Sequence, residues 1–216
     1  MLIAGIDEAG RGPCLGPLVM AVTLIEKKDE EKLIELGVKD SKDLSPKERE
    51  RQFGEIKKIV IENYCSHALP KEIDRLMLRK SLNEIEAMHA ARLLNKLKKK
   101  PALVYVDSPD VVMEEFGKRI QKYITFPTKI ISEHKADSNY PIVSAASVLA
   151  KVERDAAIKK LSEEFGEVGS GYPGDGATIN FLRKYFNKNN CWPAFVRQSW
   201  QTIKNLQDEK HQTKLF

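Results

Sequence analysis

Apolar and polar residues recur along the chain with two periods, and the switches between them outline an α/β protein. Leu2, Ile3, Ala4 and Ile6 form an apolar run closed by glycine, the pattern of a buried strand. Leu18 to Ile25 (LVMAVTLI) follows Gly16-Pro17 and reads as a second strand, antiparallel to the first because the connection is short. Glu26 to Leu36 is charged and fits a short surface helix. Ser45 before Pro46, with Glu48 three residues on, is a capping box that opens a helix to about Val60. Asn63 to Leu69 reads as a third strand. From Pro70 to Lys99, apolar residues from Ile73 through Ile85 to Leu97 recur at helical spacing, until Pro101 stops the helix. Ala102 to Val106 is a short strand, followed by a helix from Val111 to Tyr123. Phe126 to Ser132 reads as a fifth strand. A helix starting at about Tyr140 or Ile142 runs to Phe165, and its small residues Ser144, Ala145, Ala146, Ser147 and Ala150 allow close packing on a sheet. After a glycine-rich loop from Gly169 to Gly176, Thr178 to Asn187 and Ala194 to Leu206 read as helices, and Gln207 to Phe216 as a mostly polar tail. Strands entered and left through helices imply parallel crossovers.

Carboxylates stand where the strands end. Asp7 and Glu8 follow the first apolar run, Asp107 follows the fourth, and Asp137 precedes the long helix. Acidic residues are depleted in strands, and burying an unpaired charge is costly, so a divalent cation is a natural partner. In open α/β sheets ligands sit beyond the carboxyl ends of the strands, where Asp7, Glu8 and Asp107 fall if their strands are parallel neighbours. The plain alternatives are solvent exposure for Asp7 and Glu8 and helix capping for Asp107 and Asp137. Hard oxygen donors without a histidine or cysteine cluster suit Mg²⁺ or Mn²⁺, and four of them fit two-metal phosphoryl chemistry. Adjacent residues on a strand face opposite ways. The chain is therefore expected to leave strand geometry at Glu8, or Glu8 offers its backbone carbonyl instead. In Gly10-Arg11-Gly12, glycine lets the backbone approach a ligand closely and arginine offers a fork of donors to phosphate. Near matches to GxxxxGK[ST] and GxGxxG fail at Arg11-Gly12 and at Leu15, which sets those nucleotide sites aside.

Composition narrows the classes. The 216 residues suit one domain, alone or with a small appendage, and the net charge of +5 is compatible with a polyanionic partner without demanding one. Three cysteines, far apart, argue for a reducing compartment. The histidines show no zinc-ligand spacing. No apolar run approaches the ~20 residues of a membrane span, and the N-terminus lacks the charged region of a signal peptide. The cytoplasm is the expected location. Abundant Lys and Glu hint at heat tolerance.

The motifs together resemble ribonuclease HII of the archaeal type. GIDEAGRGPCLGP is similar to that family's opening motif, VKDSKDLS to its phosphate-contacting loop, VYVDSPD to its third acidic motif and EHKADSNYPIVSAASVLAKVERD to its fourth. GSGYPGD and VRQSWQT match further family segments, so the resemblance spreads from Gly5 to Thr202. It implies a ribonuclease H-like α/β fold, a five-stranded mixed sheet flanked by helices with a helical C-terminal part. Residues 1–165 would be the catalytic domain, 166–206 a loop and helices completing the substrate cleft, and 207–216 a tail. It implies Mg²⁺- or Mn²⁺-dependent hydrolysis, with two ions, of the RNA strand in RNA/DNA hybrids and at single ribonucleotides embedded in DNA. Cleavage would fall 5′ of the ribonucleotide and leave 3′-hydroxyl and 5′-phosphate ends. Asp7, Glu8, Asp107 and Asp137 take the family's metal-ligand positions. Gly10-Arg11-Gly12 is similar to the segment that recognises the 2′-hydroxyl, Tyr172 to the tyrosine that stacks on the sugar on the deoxy side, and Lys42 to a phosphate contact. Lys151 is a further candidate for substrate binding, or equally a solvated helix face. A monomer without membrane contact is expected. Gln212 to Phe216 resembles the start of a sliding-clamp-binding peptide but lacks its closing aromatic pair; packing on the domain's own surface is the alternative. Two rival readings are weaker. Proofreading-type exonucleases resemble Asp-x-Glu in the first strand, whereas these acids are adjacent. A purely binding module has no need of clustered negative charge beside phosphates.

Overall fold

The structure, a computed structural model, describes residues 1–38 and 44–213, with side chains as far as residue 209. Lys42 and Lys214 to Phe216 lie outside the described residues, so the phosphate contact and the apolar end of the clamp-like peptide stay at the level of sequence. The first half of the chain forms β1 (Leu2–Ala9), β2 (Leu18–Glu26), α1 (Glu30–Glu35), α2 (Pro46–Ile59), β3 (Glu62–Ala68), α3 (Pro70–Met77) and α4 (Leu82–Lys96). The second half forms β4 (Leu103–Asp107), α5 (Met113–Gln121), β5 (Lys129–Glu133), α6 (Ala136–Asn139), α7 (Pro141–Phe165), α8 (Gly176–Asn189) and α9 (Gln201–Thr213).

The five strands make one mixed sheet in the order β3-β2-β1-β4-β5. β1 pairs antiparallel with β2, from Leu2 opposite Glu26 to Ala9 opposite Val19, and parallel with β4, from Ile3 beside Leu103 to Ile6 beside Val106. β4 and β5 are also parallel. Because side chains alternate along a strand, the two cores sort by parity. Ile3, Val19, Ala21 and Ile25 face Leu33 of α1, Ile56 of α2 and the small-residue stripe of α7, including Val143, Ala146 and Ala150. Ala4, Ile6, Met20, Val22, Val104 and Val106 face α4 and α5. Gly5 brings the first turn of α7 onto the strand: a Cβ at this position would lie 2.3 Å from the Ile142 carbonyl oxygen. The same oxygen accepts the Thr23 hydroxyl at 2.8 Å.

Contacts divide the chain into two units. One comprises Met1–Ala9, Val19–His67 and Ser81–Glu153 and contains the sheet; the other comprises Gly10–Leu18, Ala68–Lys80 and Arg154–Phe216. The second has its own core, built around Leu15, Ile158, Leu182, Val196 and Ile203.

Several elements differ from the sequence expectation. The helix expected over Pro70 to Lys99 is two, because the Ser81 hydroxyl accepts the Glu84 N–H at 3.2 Å and caps a new start. The helix expected from Ala194 begins only at Gln201. Residues before it spend their backbone on the segment around Cys14 to Gly16: Gly16 N–H donates to Phe195 O at 2.9 Å and Arg197 N–H to Cys14 O at 2.8 Å. That helix then continues to Thr213, through the first part of the expected tail. β5 starts at Lys129 rather than Phe126, and α5 at Met113 rather than Val111. The capping box at the start of α2 is present, with the Ser45 hydroxyl accepting the Glu48 N–H at 3.2 Å.

Candidate active site

Parallel pairing of β1 with β4 places two acids side by side. One step beyond the last pair, Ile6 with Val106, the strands reach Asp7 and Asp107. Both have the parity of Ile3 and Tyr105, so both lie on the α7 face. Asp7 is buried, 5% exposed. One of its oxygens accepts the Glu8 N–H at 2.7 Å, and Ser147 of α7 also hydrogen-bonds it. Asp107 does not cap α5, whose N-cap is Val112. Its Oδ1 accepts instead the N–H of Ala136 at 2.7 Å, the first residue of α6. The chain turns from β5 into that short helix through Lys135, in the left-handed conformation at φ +57°, uncommon for a residue with a side chain. Asp137, in the first turn of α6, is likewise 5% exposed. Solvent exposure of Asp7 and capping of α5 by Asp107 are therefore both set aside.

These acids share a field. Burial is the largest influence on Asp7 and, with the negative charges of Asp107 and Asp137, raises its pKa from 3.8 to about 7; the Ser147 and Glu8 hydrogen bonds pull the other way. Glu8 stands differently. The ladder with β2 stays regular through Glu8 opposite Met20 and Ala9 opposite Val19, so the expected departure from strand geometry does not fall at Glu8. It falls at Gly10, with φ +83°. Alternation puts the Glu8 side chain on the Met20 face, opposite Asp7.

Among the described residues, no three His, Cys, Asp or Glu side chains stand close enough together to hold an ion as they are. The charge that Asp7 feels from both Asp107 and Asp137 nevertheless shows one electrostatic cluster. Asp107 meanwhile has an N–H donor in Ala136. The donor set is all oxygen, and its central member is hard to ionise without a cation. That chemistry fits Mg²⁺ or Mn²⁺.

The second unit carries Gly10, Arg11, Gly12 and Tyr172. Gly10-Arg11-Gly12 lies in a loop whose carbonyls are gathered by Arg197. This guanidinium, fully buried, donates to Gly10 O at 2.6 Å, Arg11 O at 2.9 Å and Gly16 O at 3.1 Å. Burial above all, and then the charge of Arg154, push the Arg197 pKa down to about 10, so it stays charged at neutral pH. Trp200 Nε1–H adds a bond to Gly12 O at 3.2 Å. Tyr172 sits on the glycine-rich loop, which Asp175 fastens by accepting Ser170 N–H at 2.6 Å, Ser170 hydroxyl at 2.7 Å and Ala177 N–H at 3.0 Å. Lys151 lies half-buried on α7 in the first unit.

Sequence reasoning gave Ser147 only a packing role and gave none to Arg154 or Arg197. A signal for Arg154 existed: it continues the i, i+4 series Ala146, Ala150 and Ile158, all buried, and a cation on that register is out of place. Arg197 had no such signal, since its partners are main-chain carbonyls far away in sequence.

Residues 4–203 match the family described as Ribonuclease HII. A ribonuclease HII from Thermococcus onnurineus (strain NA1) is 47% identical over 97% of this chain and 91% of its own length. The crystal structure of the ribonuclease H2 from Pyrococcus horikoshii OT3 superposes with a TM-score of 0.93 at 44% identity, covering 98% of this chain and 99% of that one. The PCNA:RNase HII complex from Archaeoglobus fulgidus gives a TM-score of 0.86 at 41% identity, covering 94% and 96%.

Proposed function

Because this chain belongs to the ribonuclease HII family, which cleaves RNA in RNA/DNA hybrids, we propose that it also cuts duplex DNA at single embedded ribonucleotides. The cut falls on the 5′ side of the ribonucleotide and yields 3′-hydroxyl and 5′-phosphate ends. The observation that carries the reading is the meeting of Asp7, Asp107 and Asp137 in one field at the carboxyl ends of β1 and β4. Three acids there would repel a phosphate backbone unless they serve a cation, which disfavours a purely binding protein. Two Mg²⁺ or Mn²⁺ ions, when bound, supply activation of water and stabilisation of the leaving oxygen. The chain's own part is to aim ligands. Asp7 and Asp107 offer carboxylate oxygens from neighbouring strand ends, Asp137 from α6, and Glu8 its main-chain carbonyl. Gly10-Arg11-Gly12 reads the 2′-hydroxyl, Tyr172 stacks on the deoxy-side sugar, and Lys42 and Lys151 meet phosphates.

An end-labelled duplex with one ribonucleotide, incubated with Mg²⁺, Mn²⁺ or a chelator, tests the reaction. Metal-dependent cutting 5′ of the ribonucleotide is expected. Cutting in chelator, or on the 3′ side, would refute it. Tyr172→Ala is expected to lose roughly 10- to 100-fold on the single-ribonucleotide duplex, the worth of one stacked base or sugar face, and much less on a long hybrid. Equal losses on the two substrates in steady-state kinetics would remove the junction-reading role.

The tail adds a candidate partner. Gln212 to Phe216 resembles the start of a clamp-binding peptide, and the Archaeoglobus fulgidus relative is solved as a PCNA complex. Calorimetry with a sliding clamp should give binding heat for the full chain and none for a chain ending at Gln212. Identical heats would reject the tail as the anchor, and a lower melting temperature of the shortened chain would favour packing on the domain itself.

A further inference from the structure

We propose that Arg154 is a positioning residue for ribose discrimination, acting through Tyr172. This rests on the reading of Tyr172 as the group that stacks on the sugar. Arg154 is 6% exposed, and its guanidinium carbon stands 5.0 Å from the centroid of the Tyr172 ring. Its Nη2 donates to the Ser170 carbonyl at 2.7 Å, two residues before that tyrosine. Gly171, between them, has φ +87°, and a Cβ there would approach Nη2 to 3.3 Å. On another side, a Cβ at Gly10 would lie 2.6 Å from Cδ and Nε of the same arginine. One side chain thus touches the ring, the loop that carries the ring, and the first glycine of the segment read as the 2′-hydroxyl sensor. Cys14 N–H, donating to Gly171 O at 2.7 Å, ties the same two loops.

Stability alone accounts poorly for this arginine. Asp155 Oδ1 stands 3.8 Å from Nη1, a loose contact with a residue that is itself 46% exposed. The buried Nε has no hydrogen-bond acceptor among the described residues. A buried guanidinium with incomplete partners is unfavourable, whereas an apolar side chain on the Ala146, Ala150, Ile158 register would fill the space without that cost. What the arginine provides is a planar cation against one side of Tyr172, while the tyrosine stays 44% exposed. A cation on one face fixes the plane of the ring, and the bond to Ser170 O fixes its height.

The test uses the full-length chain with Arg154→Gln and Arg154→Lys, each alone and combined with Tyr172→Ala. For every protein, kcat/KM is measured on a duplex with one ribonucleotide and on a long RNA/DNA hybrid from the same sample. Their ratio is independent of any misfolded fraction, so a purely structural role does not move it. Arg154→Gln is expected to lower the single-ribonucleotide to hybrid ratio roughly 10-fold, in keeping with a desolvated cation–π contact. Arg154→Lys keeps the charge but not the fork and should lower it only about three-fold. In the Tyr172→Ala background neither change should alter the ratio further. An unchanged ratio in Arg154→Gln, while Tyr172→Ala lowers it, overturns the proposal alone. So does a full extra loss on top of Tyr172→Ala. An unchanged ratio in Tyr172→Ala removes the reading of the tyrosine and the proposal with it. Should Arg154→Gln not fold, the Arg154→Lys pair decides by the same comparison.

Discussion

Asp107→Asn is expected to lower turnover by about 10²–10³-fold or more, the scale of losing one electrostatic stabiliser, while duplex binding stays within a few-fold. The substitution is gentle on the fold. An asparagine oxygen can still accept the Ala136 N–H that Asp107 holds at 2.7 Å, so α6 and its Asp137 should keep their place. What disappears is one negative charge from a cluster of three, and with it an anionic oxygen ligand. A neutral amide binds a hard divalent cation far less well than a carboxylate. Binding of nucleic acid should not suffer, because removing a negative charge reduces repulsion toward phosphates. Single-turnover cleavage in Mg²⁺ and Mn²⁺, beside anisotropy titrations in Ca²⁺, separates the two effects. Near-normal turnover in Mg²⁺ would dismiss Asp107 as a metal ligand.

In metal-free protein at pH 8, Asp7→Asn should be more stable than the parent by roughly 2–4 kcal/mol, taking 1.36 kcal/mol per pKa unit and allowing for relaxation around the charge. Folding raises the pKa of Asp7 from 3.8 to about 7. Below pH 3.8 the acid is protonated in both states and stability is unaffected. Between 3.8 and 7 the unfolded chain ionises while the folded one resists, so stability falls as pH rises through that window. Above it the whole penalty is present. Melting in chelator at pH 5 and pH 8 should show the advantage of the variant widening at the higher pH, to about 5–10 °C for a chain of this size. Added Mg²⁺ should then raise the parent's melting temperature more than the variant's, since a ligand stabilises only the form that binds it. An equal difference at both pH values would place the strain elsewhere.

The legible parts of this chain were those with local causes. The apolar runs of β1, β2 and β4, the capping box at Ser45 and the acids at strand ends are all written in neighbouring residues. What needed the structure was decided at long range. Phe195 to Arg197 look helical in sequence, yet their backbone bonds go to Cys14 and Gly16. The break at Ser81 was readable, since Glu84 follows three residues later, but the apolar periodicity of Pro70 to Lys99 masked it. The acids show the same division. Their presence was plain, and alternation alone sets Glu8 opposite Asp7, but that Asp7 and Asp107 share a face depends on the β1–β4 register, which neither strand carries alone. Arg154 and Arg197 stayed hidden because their partners are ring faces and carbonyls rather than opposite charges.

The contact between Gly5 and Ile142 has a mechanical consequence. Where a strand and a helix meet through side chains, the gap between them can breathe as rotamers hop. Here main chain rests on main chain, and the Thr23 hydroxyl pins the same carbonyl. There is no rotamer to change, so the spacing is as stiff as the peptide units themselves. Asp7 lies two residues beyond one side of this contact and Ser147 five beyond the other. The bond between them inherits that stiffness, and the central carboxylate is aimed before any cation or nucleic acid arrives.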